Sequence, residues 1–116
     1  MRSETLIKTF MAPAAVERHR IVTLAAGLFT VETAAAVTDP LIGVTTSIGS
    51  QDNGRCDVIA AGFTEVKIGG AVTRGESLTT DASGRAVTAA GTDRVIGIAL
   101  QDAVVDDIAA IMLGQG

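Results

Sequence analysis

The stretches "TDPLIGV" at Thr38–Val44 and "TDRVIGI" at Thr92–Ile98 resemble each other, with the same residue at four of seven positions. Each follows a glycine, a β-branched run and an alanine-rich segment, and each precedes an apolar run that begins with aspartate. A glycine inside a strand usually marks a bulge or a place where another backbone comes close. We therefore predict that Gly43 and Gly97 have this role at equivalent places in two related halves. The alternative interpretation is that short V-I-G-V patterns recur by chance.

About ten short segments rich in β-branched residues surround these two stretches, with turn signals between them. Regular spacing of this kind, roughly every 8–12 residues, is typical of all-β folds. "DASG" at Asp81–Gly84 suits a type I turn closed by a glycine with positive φ, and Gly62 is expected to turn a hairpin between "RCDVIAA" and "FTEVKI". We predict a small single-domain β-barrel or sandwich with a duplicated hairpin unit. An N-terminal arm spans residues 1–19 and the body spans 20–116.

The last strand segment, "DIAAIML", is apolar on both faces. Side chains alternate between the two sides of a strand, so Ile108, Ala110 and Met112 share one face and Ala109, Ile111 and Leu113 share the other. A strand that is apolar on both faces has to be covered on both. We expect the core to cover one face and a neighbouring subunit to cover the other.

Composition narrows the possible functions of the 116 residues, which suit one domain. The net charge is −4 and the nine basic residues are scattered, which argues against binding to nucleic acid because that requires clustered cations. The single cysteine, Cys56, excludes an internal disulfide and fits a reducing cytoplasm. No signal peptide is evident, and no apolar run approaches the roughly 20 residues of a membrane helix.

Two motifs resemble catalytic or phosphate-binding elements but lack what the chemistry needs. "GAVTRGES" at Gly70–Ser77 has the spacing of a phosphate-binding loop, but Glu76 stands where that loop has lysine. A carboxylate there repels phosphate, so we interpret the stretch as a plain β-turn. His19 is the only histidine and has no nucleophile motif to serve, so "ERHR" is interpreted as a solvated connector.

Two further groups contain residue types found in reactive or metal-binding sites. Cys56 stands beside Arg55, which could favour a thiolate, but a buried apolar role is more typical of a free cysteine. Asp102, Asp106 and Asp107 lack the spacing of a calcium loop and suit turns. We therefore predict no catalytic, cofactor-binding or metal-binding residues, and a protein that is not an enzyme.

Four phrases carry a resemblance to a known family: "LIKTFMAPAAVERHRIV" at 6–22, "AAAVTDPLIGV" at 34–44, "VTRGESLTTDASGRAV" at 72–87 and "DRVIGIALQDAVVDDIAAIML" at 93–113. Together they span nearly the whole chain, which resembles the head decoration (cement) proteins of tailed bacteriophages and prophages. The third phrase combines a small-residue strand, a G-E-x-L-T step and a D-x-x-G-x-A turn. These phrases carry no chemistry, so the resemblance brings no catalytic residues with it.

The resemblance implies a structural virion protein that binds the outside of the capsid, bridges major capsid subunits and resists the pressure of packed DNA. Its partners are the major capsid protein and itself, as a homotrimer in preference to a dimer, with no nucleic acid and no membrane. Its location is the virion capsid surface, after synthesis in the bacterial host cytoplasm. The alternatives are another phage head–tail or tail component and a small ligand-binding β-barrel module.

Two segments are candidates for these contacts. The N-terminal arm is one, because termini become ordered only when something holds them in place. The outward face of the last strand is the other. The candidate interaction residues are Leu6, Ile7, Lys8, Thr9, Phe10, Met11, Ile108, Ala110 and Met112.

Overall fold

The computed structural model describes residues 6–27 and 29–113. These residues form nine strands and contain no helix: β1 Leu6–Ala12, β2 Ile21–Leu24, β3 Val31–Thr33, β4 Leu41–Thr45, β5 Gly54–Lys67, β6 Ser77–Thr80, β7 Ala86–Thr88, β8 Gly97–Ala99 and β9 Ile108–Leu113. All named strand pairs are antiparallel. The predicted all-β class is confirmed.

The nine strands form one curled sheet. Its order is β3-β2-β4-β5-β9-β8-β6-β7, and β1 also pairs with β5. The sheet curls into a half-barrel, which is how the expected barrel or sandwich is realised. The "DASG" prediction is confirmed, because Gly84 has a φ of 76° and its N–H donates to the Asp81 carbonyl between β6 and β7.

The predicted hairpin at Gly62 is wrong, because β5 runs through that glycine as one strand of 14 residues. The positive φ of Gly62 departs from the extended backbone of a regular strand, so β5 bends there. Gly62 has a φ of 96°, which glycine adopts without steric cost, and it still pairs with Leu113 on β9.

The chain is built from two equivalent five-strand units that share β5. Repeat 1 is residues 6–61, containing β1 to β4 and the first half of β5, and repeat 2 is residues 62–113, containing the second half of β5 and β6 to β9. Repeat 1 has the order β3-β2-β4-β5 with β1 against β5, and repeat 2 has the order β7-β6-β8-β9 with the second half of β5 against β9. The duplication therefore extends well beyond the predicted hairpin.

The equivalence of the two repeats holds residue by residue. Ile21 faces Val44 as Ser77 faces Ile98, Val44 faces Ile59 as Ile98 faces Met112, and Leu24 faces Val31 as Thr80 faces Ala86. Outside the strands, the antiparallel bridge between Val16 and Ser50 matches the bridge between Val72 and Ala103. The repetition of "TDPLIGV" is thus structural and not a chance recurrence.

Both glycines of the repeated stretch occupy close approaches, as predicted. A Cβ on Gly43 would collide with the backbone carbonyl of Ile59, and a Cβ on Gly97 would collide with that of Met112. Any larger residue would push β4 away from β5, or β8 away from β9. The glycines therefore set the spacing of the same strand pair in each repeat.

The centre of the sheet of repeat 1, at β2 and β4, is buried on both faces. Its inner face contributes Val22, Val31, Cys56 and Val58 to a small core cluster, together with Ala12 and Val16. We call Ile21, Ala34, Val44 and Ile59 the outer face of repeat 1. These four side chains belong to, or pack against, the larger core cluster, most of which comes from repeat 2. Repeat 2 thus covers the outer face of repeat 1.

Candidate interaction surfaces

The described part of the predicted arm is a strand of the sheet. Residues 6–12 form β1 and pair with β5 from Gly54 to Ala61, while residues 1–5 lie outside the described part of the chain. Apolar side chains at alternate positions explain the pairing, because Phe10 packs against the small core cluster and Ala12 is fully buried. The inward-facing side chains of β1 therefore hold this strand against the core.

The other face of β1 is open to solvent. Ile7 is 53% exposed and Met11 is 47% exposed, and between them the Thr9 hydroxyl donates to the Asp57 carboxylate at 2.8 Å. On the inward-facing side, the Lys8 ammonium lies 5.6 Å from the centre of the Phe29 ring. Among the β1 candidates whose side chains the structure describes, residues 7–11, Ile7 and Met11 are thus the exposed apolar ones, and the side chain of Leu6 lies outside the description.

The last strand divides its side chains as the sequence predicted. Ala109, Ile111 and Leu113 are buried in the larger core cluster. Ile108 and Met112, on the opposite face, are 41% and 38% exposed. Side chains on the neighbouring strands widen this apolar surface. We define the β9 patch as Phe63, Ile98, Ile108, Ala110 and Met112.

Phe63 and Ile98 are the members of the β9 patch that are absent from the candidates predicted from the sequence, and Phe63 is the more exposed of the two. It faces Met112 across the β5–β9 pair and is 51% exposed. A phenylalanine is a strong signal in a chain with only three of them. The sequence did not predict that the Phe63 side chain lies beside Met112, because the expected hairpin at Gly62 placed "FTEVKI" in a separate strand.

The structure keeps the two candidate segments apart. β1 pairs with the first half of β5, and β9 pairs with the second half. The exposed side chains of β1 and the β9 patch therefore belong to different repeats. One small protein thus presents two separate apolar surfaces.

Cys56 is a core residue rather than a reactive thiol. Its side chain is fully buried in the small cluster. Burial is the main cause that raises the pKa of the Cys56 thiol, with the charge of Asp57 adding to it and the nearby Ser50 side chain opposing it. Because the thiolate is the reactive form, this environment suppresses nucleophilic chemistry. Arg55 does not activate the thiol.

The "GAVTRGES" stretch forms the β-turn expected of it. The Glu76 N–H donates to the Thr73 carbonyl at 3.0 Å, and the Glu76 carboxylate accepts the Thr73 N–H at 2.7 Å. Gly75 has a φ of 92° within this turn. Glu76, which stands where a phosphate-binding loop has lysine, therefore uses its carboxylate to close a turn.

The "ERHR" connector is more ordered than predicted. Glu17 and Arg18 are exposed, but His19 and Arg20 are half-buried. His19 adopts a φ of 56°, and its carbonyl accepts the Lys67 N–H at 2.9 Å. The Arg20 guanidinium donates to the Ser83 carbonyl at 3.1 Å. The connector thus ties repeat 1 to repeat 2.

The three aspartates near the C-terminus have separate turn roles. Asp102 accepts the Arg74 N–H at 2.8 Å, and Asp107 accepts the Val104 N–H at 3.1 Å. Asp106 instead pairs with the Arg85 guanidinium at 3.3 Å. Within residues 6–27 and 29–113, no three acidic, histidine or cysteine side chains are grouped as metal ligands.

A shallow, open depression lies beside β1, lined by Thr9, Thr46, Ile48, Arg55 and Asp57. Its rim residue Ile48 is 84% exposed. An enclosed, mainly apolar pocket is the usual form of a small-molecule site, whereas this depression is open and mixes charged and apolar groups. In the part of the chain that the structure describes, no helix is long and apolar enough to span a membrane.

Comparisons with known proteins found one matching family model and a solved structure of similar fold. A family model described as phage cement protein matches residues 1–113 of this chain. The crystal structure of the head fiber gp8.5 N base in bacteriophage phi29 shares the fold, with a TM-score of 0.75 over 96% of this chain and 95% of that chain. Sequence identity between the two is 19%. The comparison with curated proteins found no match.

Proposed function

This chain belongs to the phage cement protein family, and from that premise we propose that it binds the outside of a phage capsid and stabilises the shell by bridging neighbouring major capsid subunits. The observation that carries the proposal is the family match over residues 1–113. Family membership makes the chain a structural protein of the phage virion. The bridging role is the further step.

The distribution of exposed apolar residues supports bridging. A protein that bridges the shell needs one surface for the capsid and another for its own copies, and this fold offers the exposed face of β1 in repeat 1 and the β9 patch in repeat 2. Ile7 and Met11 on β1 have neighbours that can form a polar rim, since Arg55 and Asp57 are exposed on the adjacent strand. An apolar centre with a polar rim is the usual anatomy of a protein interface.

The charge of the chain fits the same location. A net charge of −4 disfavours close approach to packaged DNA and suits a position on the outer surface. We propose that the protein is made in the bacterial host cytoplasm and then joins the capsid surface as a homotrimer, with a dimer as the alternative. The major capsid protein is its partner in this proposal.

Co-sedimentation with capsids tests the proposal. The purified protein is mixed with expanded, undecorated capsids of the phage or prophage that encodes it, and with unexpanded procapsids as the control. Saturable binding to expanded shells alone, at a fixed ratio to the capsid subunit, is the expected result. Absence of binding to either shell would overturn the proposal and favour a head–tail or tail component.

Two variants locate the capsid-binding surface. Met11→Glu places a charge on the exposed face of β1 and is expected to weaken capsid binding by about tenfold or more, as for a central interface residue. Val104→Glu is the matched control, because Val104 is 58% exposed and lies in a loop of repeat 2. Equal binding of the two variants would exclude β1 as the capsid-binding strand.

A further inference from the structure

We propose that the β9 patch is covered by repeat 1 of a second copy of this chain, so that copies associate head to tail. Repeat 2 of one copy contacts the end of repeat 1 of the next that carries Leu24 and Phe29, which is the position equivalent to the β6–β7 turn that contacts repeat 1 within the chain. The inference deepens the self-association included in the proposed function by naming the two surfaces. It does not depend on which capsid the protein binds.

The first argument is the difference between equivalent faces. In repeat 1, the outer-face residues Ile21, Ala34 and Val44 are fully buried, because repeat 2 covers them. Their equivalents in repeat 2 are Ser77, Ala89 and Ile98, and all three are half-buried. The fourth pair is Ile59 and Met112, of which Met112 is 38% exposed. The same face is thus covered in repeat 1 and uncovered in repeat 2.

The outer face of repeat 2 has the same apolar character as the outer face of repeat 1. Ala89, Ile98 and Met112 keep the apolar character of their equivalents, and Ser77 is the one polar replacement. Phe63 and Ile108 extend the apolar area further, at 51% and 41% exposure. Glu65 and Lys67 lie on the same face, opposite Ala110 and Ile108, so the apolar side chains are flanked by charged ones. Exposed apolar side chains rimmed by polar ones usually mark an interaction site. The internal repeat indicates that the occupant of this face is another repeat unit.

The second argument concerns the surface that does the covering. The β6–β7 turn of repeat 2 reaches repeat 1, where the Gly84 carbonyl accepts the Ile21 N–H at 2.7 Å. A Cβ on Gly84 would lie 2.7 Å from the Thr33 side chain, so the contact is close. Thr80, at the start of this turn, is 1% exposed. Thr80 and Gly84 are therefore buried where the turn meets repeat 1, while Ala82 and Ser83 at its tip remain exposed.

The corresponding end of repeat 1 is exposed and apolar. Leu24 is the equivalent of Thr80, and Phe29 precedes β3 by two residues as Gly84 precedes β7. Leu24 is 51% exposed and Phe29 is 56% exposed. The repeat 1 surface, with Leu24 and Phe29, and the β9 patch of repeat 2 thus both carry exposed apolar side chains in the isolated chain. Two different surfaces meet in such a contact, so it generates a ring or a filament rather than a two-fold dimer.

The bulk of Phe29 distinguishes the contact between copies from the contact within one chain. Gly84 approaches the backbone of repeat 1 closely, whereas a phenylalanine ring holds two backbones further apart. The β9 patch has the apolar side chains to receive such a ring, and Met112 is a flexible one suited to aromatic contact. The contact between copies is therefore looser in backbone spacing and richer in side-chain packing.

The test measures association in solution with one variant on each surface. Met112→Glu changes the β9 patch, Phe29→Glu changes the repeat 1 surface, and Ile48→Glu is the control because Ile48 is 84% exposed and lies outside both surfaces. Light scattering coupled to size-exclusion chromatography gives the mass of each protein across a concentration series. Both surface variants are expected to raise the Kd of self-association by about tenfold or more, and Ile48→Glu is expected to match the unchanged protein.

A mixing experiment identifies the head-to-tail arrangement. Each surface variant keeps one intact surface, so an equimolar mixture of Met112→Glu and Phe29→Glu can form one intact contact and is expected to give a one-to-one heterodimer. An interface in which the β9 patch meets its own copy predicts no such dimer and leaves Phe29→Glu fully associated. Either of those results would overturn the inference.

Two controls separate this inference from the proposed function. Thermal melting by circular dichroism checks that each variant is folded, and Met112→Gln replaces Met112→Glu if the charge prevents folding. Unchanged protein that is monomeric at its highest soluble concentration overturns the inference, whereas capsid binding is scored independently by co-sedimentation. Variants that lose capsid binding but keep the solution mass of the unchanged protein would assign the β9 patch to the capsid and also overturn it.

Discussion

The carboxylates of Asp39 and Asp93 have one hydrogen bond in common, at equivalent positions of the two repeats, and Asp39 also accepts the Ala35 N–H. The Asp39 carboxylate accepts the Ala36 N–H at 3.0 Å, and the Asp93 carboxylate accepts the Ala90 N–H at 3.0 Å. In return, each aspartate N–H donates at 3.0 Å to the carbonyl of that same alanine. The Thr-Asp dipeptide therefore recurs in the sequence because it closes the turn before β4 and before β8.

We predict that Asp39→Ala and Asp93→Ala each lower the free energy of unfolding by about 1 kcal/mol, because each removes the acceptor of a turn hydrogen bond. Urea denaturation of the two variants measures the effect. Asp39→Asn and Asp93→Asn retain an acceptor oxygen and serve as controls with a smaller loss. A large loss at one aspartate and none at the other would contradict the equivalence of the two turns.

Gly97→Val is expected to destabilise the fold by about 3 kcal/mol or more, because its side chain would collide with the Met112 backbone. Ser83→Ala is expected to change stability by less than about 0.5 kcal/mol, since Ser83 is exposed in a turn and bonds through its backbone groups. Thermal melting compares the two variants directly. Equal melting temperatures would refute the close approach at Gly97.

Gly62→Ala is expected to lower the free energy of unfolding by about 1–2 kcal/mol, because Gly62 has a φ of 96° in the middle of β5. Ala61→Gly is the matched control at the neighbouring position, where φ is not positive. It should cost less, through backbone entropy alone. The result is read by chemical denaturation, and an unchanged midpoint for Gly62→Ala would mean that the bend tolerates a side chain.

The stability of the protein is expected to fall at alkaline pH because of Cys56. Burial raises the pKa of this thiol in the folded state above its value in the unfolded chain. The neutral thiol is favoured by folding, so its contribution is fully present below the ordinary cysteine pKa and is lost as pH rises through the raised value.

Urea denaturation over a series of pH values, starting from about 8, measures this contribution. Cys56→Ala removes the titrating group and is expected to flatten the decline, although it also lowers stability at neutral pH by leaving a small cavity. An identical alkaline decline in Cys56→Ala would assign the effect to other groups.

The local features of the fold were predictable from the sequence because they depend on one or two residues. The Asp81–Gly84 turn and the close approaches at Gly43 and Gly97 all rest on the steric freedom of glycine, which the sequence shows directly. The outward direction of Ile108 and Met112 also follows from strand alternation. Each of these predictions needs no knowledge of distant parts of the chain.

The extent of the repeat was not predictable from residue patterns. β1 and the second half of β5 have the same place in their repeats, yet "LIKTFMA" and "GFTEVKI" share only an apolar alternation. Gly62 added to the difficulty, because a glycine between two strand-like segments has the same sequence signal in a hairpin turn and in a bent strand. The course of β5 is decided by its long-range pairing with β9, which no local pattern contains.

The sharing of β5 has a consequence for synthesis on the ribosome. Once Ala61 has emerged, β1 to β4 and the first half of β5 all have their strand partners within the nascent chain. Ile21 and Val44, however, are covered only when repeat 2 follows. Until residues 62–113 have been made, repeat 1 is therefore a paired half-sheet whose apolar outer face is uncovered. During that interval it is open to chaperones, or to the same half of another nascent chain.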